Sequence, residues 1–334
     1  MTTAAQSPPA PRLSVVIPML NEAGNVAPLL ERLFAVLDGL AASQGLVSEV
    51  VVVDDGSTDG TLALLREQQH ARPALRIVCF ARNFGQHAAV MAGFEAALGD
   101  WIVTLDADLQ NPPEEIGRLL AAMDDGADYV GGVRRVREDA WWRRVASRLM
   151  NRLRERITRI RMTDQGCMLR AYSREIVDAV AASREISTYI PALAYTFAHQ
   201  PVEVEVAHEE RAAGVSKYSL YRLVRLNFDL VTGFSLVPLQ MFSLIGMLVA
   251  VGAVALYVFV IAQKLATGRY EEGLAAVWDR DILEFFLIGI VLFGLGIVGE
   301  YVGRIYQQVR ERPRYTVRAV LERDGATGDG RPHP

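Results

Sequence analysis

The chain has 334 residues, of which 51% are apolar and 22% charged, and its formal net charge is −4. That length holds about two domains, and so small a negative charge excludes a global basic field of the kind that gathers nucleic acid. Two cysteines, Cys79 and Cys167, stand far apart without metal-ligand spacing. They read as reduced thiols of a cytosolic compartment.

The opening segment, MTTAAQSPPAPR, has no apolar core of a secretory signal, and residues 1–11 are expected to be disordered. From residue 12 onward, apolar runs alternate with helical patterns. LSVVIPMLNE (13–22), SEVVVVDDGS (48–57), LRIVCFAR (75–82) and WIVTLDAD (101–108) read as buried strands. AGNVAPLLERLFAVLDGL, TDGTLALLREQQ and GQHAAVMAGFEAALG between them read as helices. Near-continuous Val/Ile runs separated by helices predict an α/β domain with a mostly parallel sheet covered on both faces. Ligands of such sheets bind outside the carboxyl ends of the strands. Asn21 and Glu22, Asp54 and Asp55, Arg82 and Asn83, and Asp106 and Asp108 all fall at those ends.

Past residue 134 the pattern changes. Eleven arginines against three acids lie between Arg134 and Arg161, and WWRRVASRLMNRLRERITRI (141–160) carries an apolar stripe of Val145, Leu149, Leu153, Ile157 and Ile160. Adjacent tryptophans and a basic amphipathic helix suit a lipid headgroup region. YSLYRLVRLNFDLVTGFSLVPL (218–239) reads as a second amphipathic segment.

Met241 to Ala262 is 22 residues without a charge, and Ile282 to Gly303 carries only Glu284 and Glu300. At ~1.5 Å per residue each covers a bilayer core of ~30 Å, so the two predict a transmembrane hairpin within residues 240–304. Lys217, Arg222 and Arg225 precede the first span, and Arg304, Arg310, Arg312, Arg314 and Arg318 follow the second. The loop between holds three basic and four acidic residues. That bias places both termini and the tail, 305–334, in the cytoplasm.

Two motifs carry chemistry. VVVVDDGSTDGT ends a strand in two carboxylates followed by Gly56 and a Ser/Thr/Asp cap. A carboxylate there can accept from a base N–H or a ribose hydroxyl, but a plain helix cap is by itself the commoner explanation. Neither GxGxxG nor GxxxxGK[ST] occurs, which removes the main support for Rossmann dinucleotide and P-loop readings. In TLDADLQNPPEEI, strand alternation would put Asp106 and Asp108 on one side of a strand end, with Gln110 in the same alternation. Hard oxygen donors in so small a number suit Mg²⁺ or Mn²⁺ whose shell is completed by phosphate and water.

SVVIPMLNE, VVVVDDGSTDGT, NFGQHAAVMAGF and TLDADLQNPPEEI together resemble the GT-A domain of family 2 glycosyltransferases. With DQGCMLRAY (164–172), ERAAGVSKYS (210–219) and the hairpin, the chain is similar to the polyprenyl-phosphate members. Among these it is most similar to the bacterial undecaprenyl-phosphate formamido-arabinose transferases. The resemblance implies a Rossmann-like GT-A domain over 12–217 at the bacterial inner membrane. There a UDP-sugar gives its sugar, with inversion, to undecaprenyl phosphate, in lipid A modification and polymyxin resistance. It implies that Asp55, with Asp54 behind it, contacts the uridine, and that Pro18, Asn21, Glu22 and Asn83 line the donor site. Asp106, Asp108 and Gln110 would hold Mg²⁺ or Mn²⁺ on the diphosphate. Arg134, Arg143, Arg211 and Lys217, with Ser147 and Ser216, would gather phosphates, and Asp164 would lie by the transferring sugar. Membrane lipids are expected partners, a homo-oligomer is compatible with the resemblance, and nucleic acid is not expected.

Three other readings fit less well. A haloacid-dehalogenase phosphatase needs Thr or Val where Gln110 stands, and a processive synthase needs a QxxRW motif that the chain lacks. A scaffold with a relict sugar-nucleotide fold would not need Asp106, Asp108 and Gln110. A glucose or mannose donor stays open beside the formamido-arabinose one.

Overall fold

The computed structural model describes residues 11–134, 160, 162–183, 189–209, 232, 235–267, 280–310 and 313–322. The amphipathic helix expected before residue 160, most of the 218–239 segment, and Arg143, Ser147, Arg211, Ser216 and Lys217 lie outside them. The described residues fall into two compact units, one built on a sheet and the other on two long helices.

Four strands make the centre of the sheet: β1 (Leu13–Met19), β2 (Ser48–Asp54), β3 (Leu75–Phe80) and β4 (Trp101–Thr104). They are parallel, in the order β3-β2-β1-β4, and are joined by α1 (Ala23–Gln44), α2 (Thr61–Ala71) and α3 (Gln86–Ala96). Order reverses between β1 and β4, which makes their carboxyl ends a topological switch point. Every residue of β1 is buried because both faces are covered. Leu13, Val15 and Ile17 pack in the cluster that holds Leu29, Leu30 and Leu33 of α1, whereas Val16 meets Gly93 of α3.

The sheet is larger and more mixed than the sequence predicts. After α4 (Ile116–Asp124) come β5 (Tyr129–Arg134), β6 (Arg170–Ser173), α5 (Arg174–Ala182), α6 (Ile190–Phe197) and β7 (Pro201–Val206). β6 runs antiparallel to both β4 and β5, and β7 is parallel to β5. At the other edge β8 (Val317–Leu321) adds to β3 antiparallel. Its five residues lie in the segment expected to be only a tail.

The second unit holds α7 (Val237–Thr267) and α8 (Arg280–Val309), of 31 and 30 residues. Each overruns the apolar span expected within it. Phe242 of α7 lies against Gly294 of α8, where an added Cβ would come 1.9 Å from the Phe242 ring. The Tyr301 hydroxyl donates to the Ser235 carbonyl at 2.6 Å. Within α8, Leu287–Tyr306 is long and apolar enough to cross a bilayer, with a mean hydropathy of 1.6 over 20 residues. The described side chains of α7 give a shorter apolar run, Val237–Val249.

Candidate active site

The chain leaves the sheet at the carboxyl end of β4 because of a proline one strand away. The Leu105 N–H donates to the Val16 carbonyl at 3.0 Å. In a parallel ladder the next rung would need the N–H of Pro18, which does not exist. Pairing therefore stops, and Asp106 and Asp108 sit in a turn beyond Thr104, with Leu109 at φ +61°. Strand alternation, the expected basis for their alignment, does not set it.

That turn is tied on three sides. Gln86, the first residue of α3, donates from Nε2 to Asp106 Oδ1 at 2.9 Å. Asp108 Oδ1 accepts the Gln110 N–H at 3.2 Å, and the Gln110 carbonyl accepts the N–H of Glu209 at 2.9 Å. The second contact brings the lead-in to ERAAGVSKYS onto the Asp-Ala-Asp turn. Thr104 Oγ1 donates to the Met168 carbonyl at 2.6 Å, which fastens DQGCMLRAY beside it.

The residues expected on the donor side form an adjoining set. Asp55 is buried, and its carboxylate accepts the N–H groups of Phe84 (2.7 Å) and Gly85 (2.9 Å) at the start of α3. Burial raises its pKa against the lowering by those two bonds. Gly56, at φ +72°, lies so close to the loop after β3 that a Cβ would be 2.5 Å from the Arg82 carbonyl carbon. Asn21 (φ +55°) accepts the Thr58 N–H at 2.8 Å on Oδ1 and donates its own N–H to Ser57 Oγ at 2.9 Å. The Glu22 N–H donates to Thr61 Oγ1 at 2.9 Å. Asn21 and Glu22 thus tie the loop after β1 to the loop after β2 and the start of α2, and the Asp55 carboxylate ties the loop after β2 to that after β3. Asp54 accepts the Ser57 N–H at 3.3 Å, and Asn83 is exposed beside them. Asp55 and Asp106 are bridged by only three residues, Phe84 to Gln86.

Arg134 and Asp164, expected as separate phosphate and sugar ligands, are bonded to one another. Arg134 donates from Nε and Nη2 to the Asp164 carboxylate at 2.6 and 2.8 Å, and its backbone N–H adds a third bond at 3.2 Å. The Gly166 N–H gives a fourth at 2.9 Å. Burial would raise the Asp164 carboxyl, but the Arg134 guanidinium and these N–H donors win and hold it below the usual range. A Cβ on Gly166 would lie 2.5 Å from Arg134 Nη2, so the fork needs glycine there.

Sequence reasoning passed over Gln86 and Arg170. Arg170 is 1% exposed; its Nε donates to the Cys167 carbonyl (2.8 Å), its Nη2 to the Asp164 carbonyl (2.7 Å) and its Nη1 to the Tyr129 hydroxyl. A charged residue inside the run CMLRAY was the available signal. Cys167 is fully buried and its thiol is pushed up to about 11, chiefly by burial, so it is inert.

The residues present suit a hard divalent cation. Asp106 and Asp108 are oxygen donors, both partly exposed on one turn at the ligand edge of the sheet. Among the described residues no three His, Cys, Asp or Glu side chains are gathered to hold a metal alone. A cation there would complete its shell with phosphate oxygens and water.

Residues 14–181 match the family model described as glycosyl transferase family 2. The chain is a family 2 glycosyltransferase. This glycosyltransferase is also 44% identical to the undecaprenyl-phosphate 4-deoxy-4-formamido-L-arabinose transferase of Aeromonas hydrophila subsp. hydrophila, over 92% of this chain and 94% of that one. Among solved structures, glucosyl-3-phosphoglycerate synthase of Mycobacterium tuberculosis, in complex with Mn²⁺, UDP and phosphoglyceric acid, is 20% identical with a TM-score of 0.45. It covers 66% of this chain and 76% of its own. Residues 1–349 of S. aureus TarS are 17% identical with a TM-score of 0.39, covering 58% of each chain. On the family match and the 44% relative, the mixed α/β sheet belongs to the GT-A-like catalytic domain that the motifs resemble.

Proposed function

We infer that the enzyme transfers 4-deoxy-4-formamido-L-arabinose from its UDP-linked form to undecaprenyl phosphate at the cytoplasmic face of the bacterial inner membrane. The observation that carries this reading is the 44% identity to the A. hydrophila transferase, which extends over nearly the whole of both chains. An acceptor phosphate oxygen attacks the anomeric carbon, the bond from that carbon to the β-phosphate oxygen breaks, and UDP leaves with inversion. A lipid phosphate is already an anion at neutral pH, so no strong general base is needed.

The side chains divide the work accordingly. Asp106 and Asp108 would hold Mg²⁺ or Mn²⁺, with Gln110 at the third position of the motif. The cation would stabilise negative charge developing on the departing diphosphate. Gln86, by its bond to Oδ1, would orient the Asp106 carboxylate. Asp164, depressed in pKa and engaged by four donors, is a poor base; it holds the Arg134 guanidinium, which would meet the phosphates. Asp54, Asp55, Pro18, Asn21, Glu22 and Asn83 form the donor side. Arg143, Ser147, Arg211, Ser216 and Lys217 would complete the phosphate side from outside the described residues. The hairpin of α7 and α8 would hold the enzyme where the lipid acceptor resides, with both termini in the cytoplasm.

The test is a donor screen with purified full-length protein, undecaprenyl phosphate and a panel of UDP-sugars. The formamido-arabinose donor should give the highest kcat/KM; a hexose donor that outruns it would replace the sugar assignment. Excess chelator should abolish transfer, and Asp108→Asn should lower turnover far more than thermal stability. Magnesium-dependent stabilisation by UDP should be much smaller in that variant, and equal stabilisation of both proteins would refute the metal site.

A further inference from the structure

An antiparallel strand added to a parallel sheet begins where its neighbour ends. β8 runs against β3, so the residues just before it, Pro313–Thr316, lie at the carboxyl end of β3, on the ligand edge of the sheet. There the Ala81 N–H donates to the Thr316 carbonyl at 3.1 Å, and Tyr315 stacks on Phe80 at 4.8 Å with the rings 18° apart. The Tyr315 hydroxyl bonds Glu95 of α3, and Arg314 donates to the Ser183 carbonyl. At the far end Arg76 Nε bonds Glu322 at 2.8 Å, and Gln69 Nε2 donates to the Leu321 carbonyl at 2.6 Å. The segment is therefore seated along its whole length.

Between this segment and the loop after β3 lies an open depression of about 500 Å³, lined by Ala81, Arg82, Phe84, Pro313 and Thr316. That is within the ~300–1,000 Å³ usual for a small-molecule site. On the side of that loop the surface is cationic: the Arg82 guanidinium lies over the Phe84 ring, 4.1 Å from its centre. Phe84 is held by the Asp55 carboxylate, which ties the depression to the donor side of the site. A planar, electron-rich heterocycle stacks well on a guanidinium backed by an aromatic ring.

We propose that Pro313–Thr316, the stretch that follows the last long helix, forms one wall of the pocket for the nucleobase of the donor, opposite Arg82 and Phe84. The inference rests on the UDP-sugar reading above and adds a part of the chain to it. Donor recognition then depends on a segment that follows the hairpin in the chain, so the isolated first 217 residues would lack half of their base pocket.

The experiment measures binding of UDP and of inorganic diphosphate to full-length protein in detergent, at fixed Mg²⁺, by calorimetry. Thr316→Trp fills the depression from an exposed position, and Tyr315→Ala unseats the segment. Both should weaken UDP about tenfold or more and leave diphosphate affinity as in the wild type. Thermal melting without ligand should show Thr316→Trp folded normally. UDP affinity unchanged in Thr316→Trp overturns the wall, as does an equal loss of UDP and diphosphate affinity. A wild type that binds diphosphate but gains nothing from the uridine overturns the donor reading together with the wall.

Discussion

Asp164 shows how a single carboxylate is assigned its role by its neighbours. Its side chain is 15% exposed and Arg134's is 33%, so the pair is partly shielded and bidentate. Replacing a partner in such a pair costs about 2 kcal/mol, less than a fully buried pair because water reaches the arginine. The pH dependence follows from the depressed carboxyl. Unfolded, the group titrates near 3.8; folded, it titrates lower. Between the two the unfolded chain binds more protons, so the stabilisation is complete above the unfolded value and is lost as pH falls through the folded one. Asp164→Asn should lower the melting temperature at pH 7 and flatten its decline below about pH 4. A variant with the wild-type acid limb would show that the pair contributes nothing. Gly166 belongs to the same unit, since only hydrogen leaves room for the Arg134 fork.

Among the elements, α3 carries the most constraints. It starts against Asp55, presents Gln86 to Asp106, and packs on β1 so closely that a Cβ on Gly93 would lie 2.2 Å from Val16 Cγ1. A helix displaced from β1 would move both ends of that linkage. Gly93→Ala should therefore cost ~1–3 kcal/mol by overpacking and reduce transfer as well. Val16→Ala alone should cost a similar amount through the cavity it leaves. The double variant should be more stable than the sum of the two losses predicts, because each change makes room for the other. Strict additivity in denaturant unfolding would mean that the contact is not close.

For the whole molecule, the two long helices and the edge strand are expected to make separable contributions. A chain ending at Asp229 lacks α7, α8 and β8; it should be released from membranes by carbonate, with weak salt-sensitive binding left to the basic segments. Carbonate resistance of that chain would refute the membrane hairpin. A chain ending at Arg310 keeps both helices and lacks β8. It should remain in the membrane, melt at a lower temperature and aggregate more readily, because the edge of β3 is then unpaired.

The sequence by itself determined the sheet's centre, since strands buried on both faces must be apolar almost throughout. It also determined the positions of Asp55, Asp106 and Asp108 at strand ends, where polar residues interrupt those runs. Two long apolar stretches near the C-terminus were equally plain from length alone. β8 was not, because VRAVL is short, half exposed and preceded by proline and arginine, so its pairing depends on an open edge far away in the chain, Ile77 meeting Leu321 and Phe80 meeting Val317. Only the tertiary structure showed that Pro18 ends the β4 ladder, since the missing N–H matters solely in the register Val16↔Thr104. It alone joined Arg134 to Asp164 and buried Arg170 among carbonyls. The physical reason is the same in each case: periodicity reports which face of an element is apolar, whereas hydrogen bonds between distant residues depend on register and loop path, which leave no periodic mark.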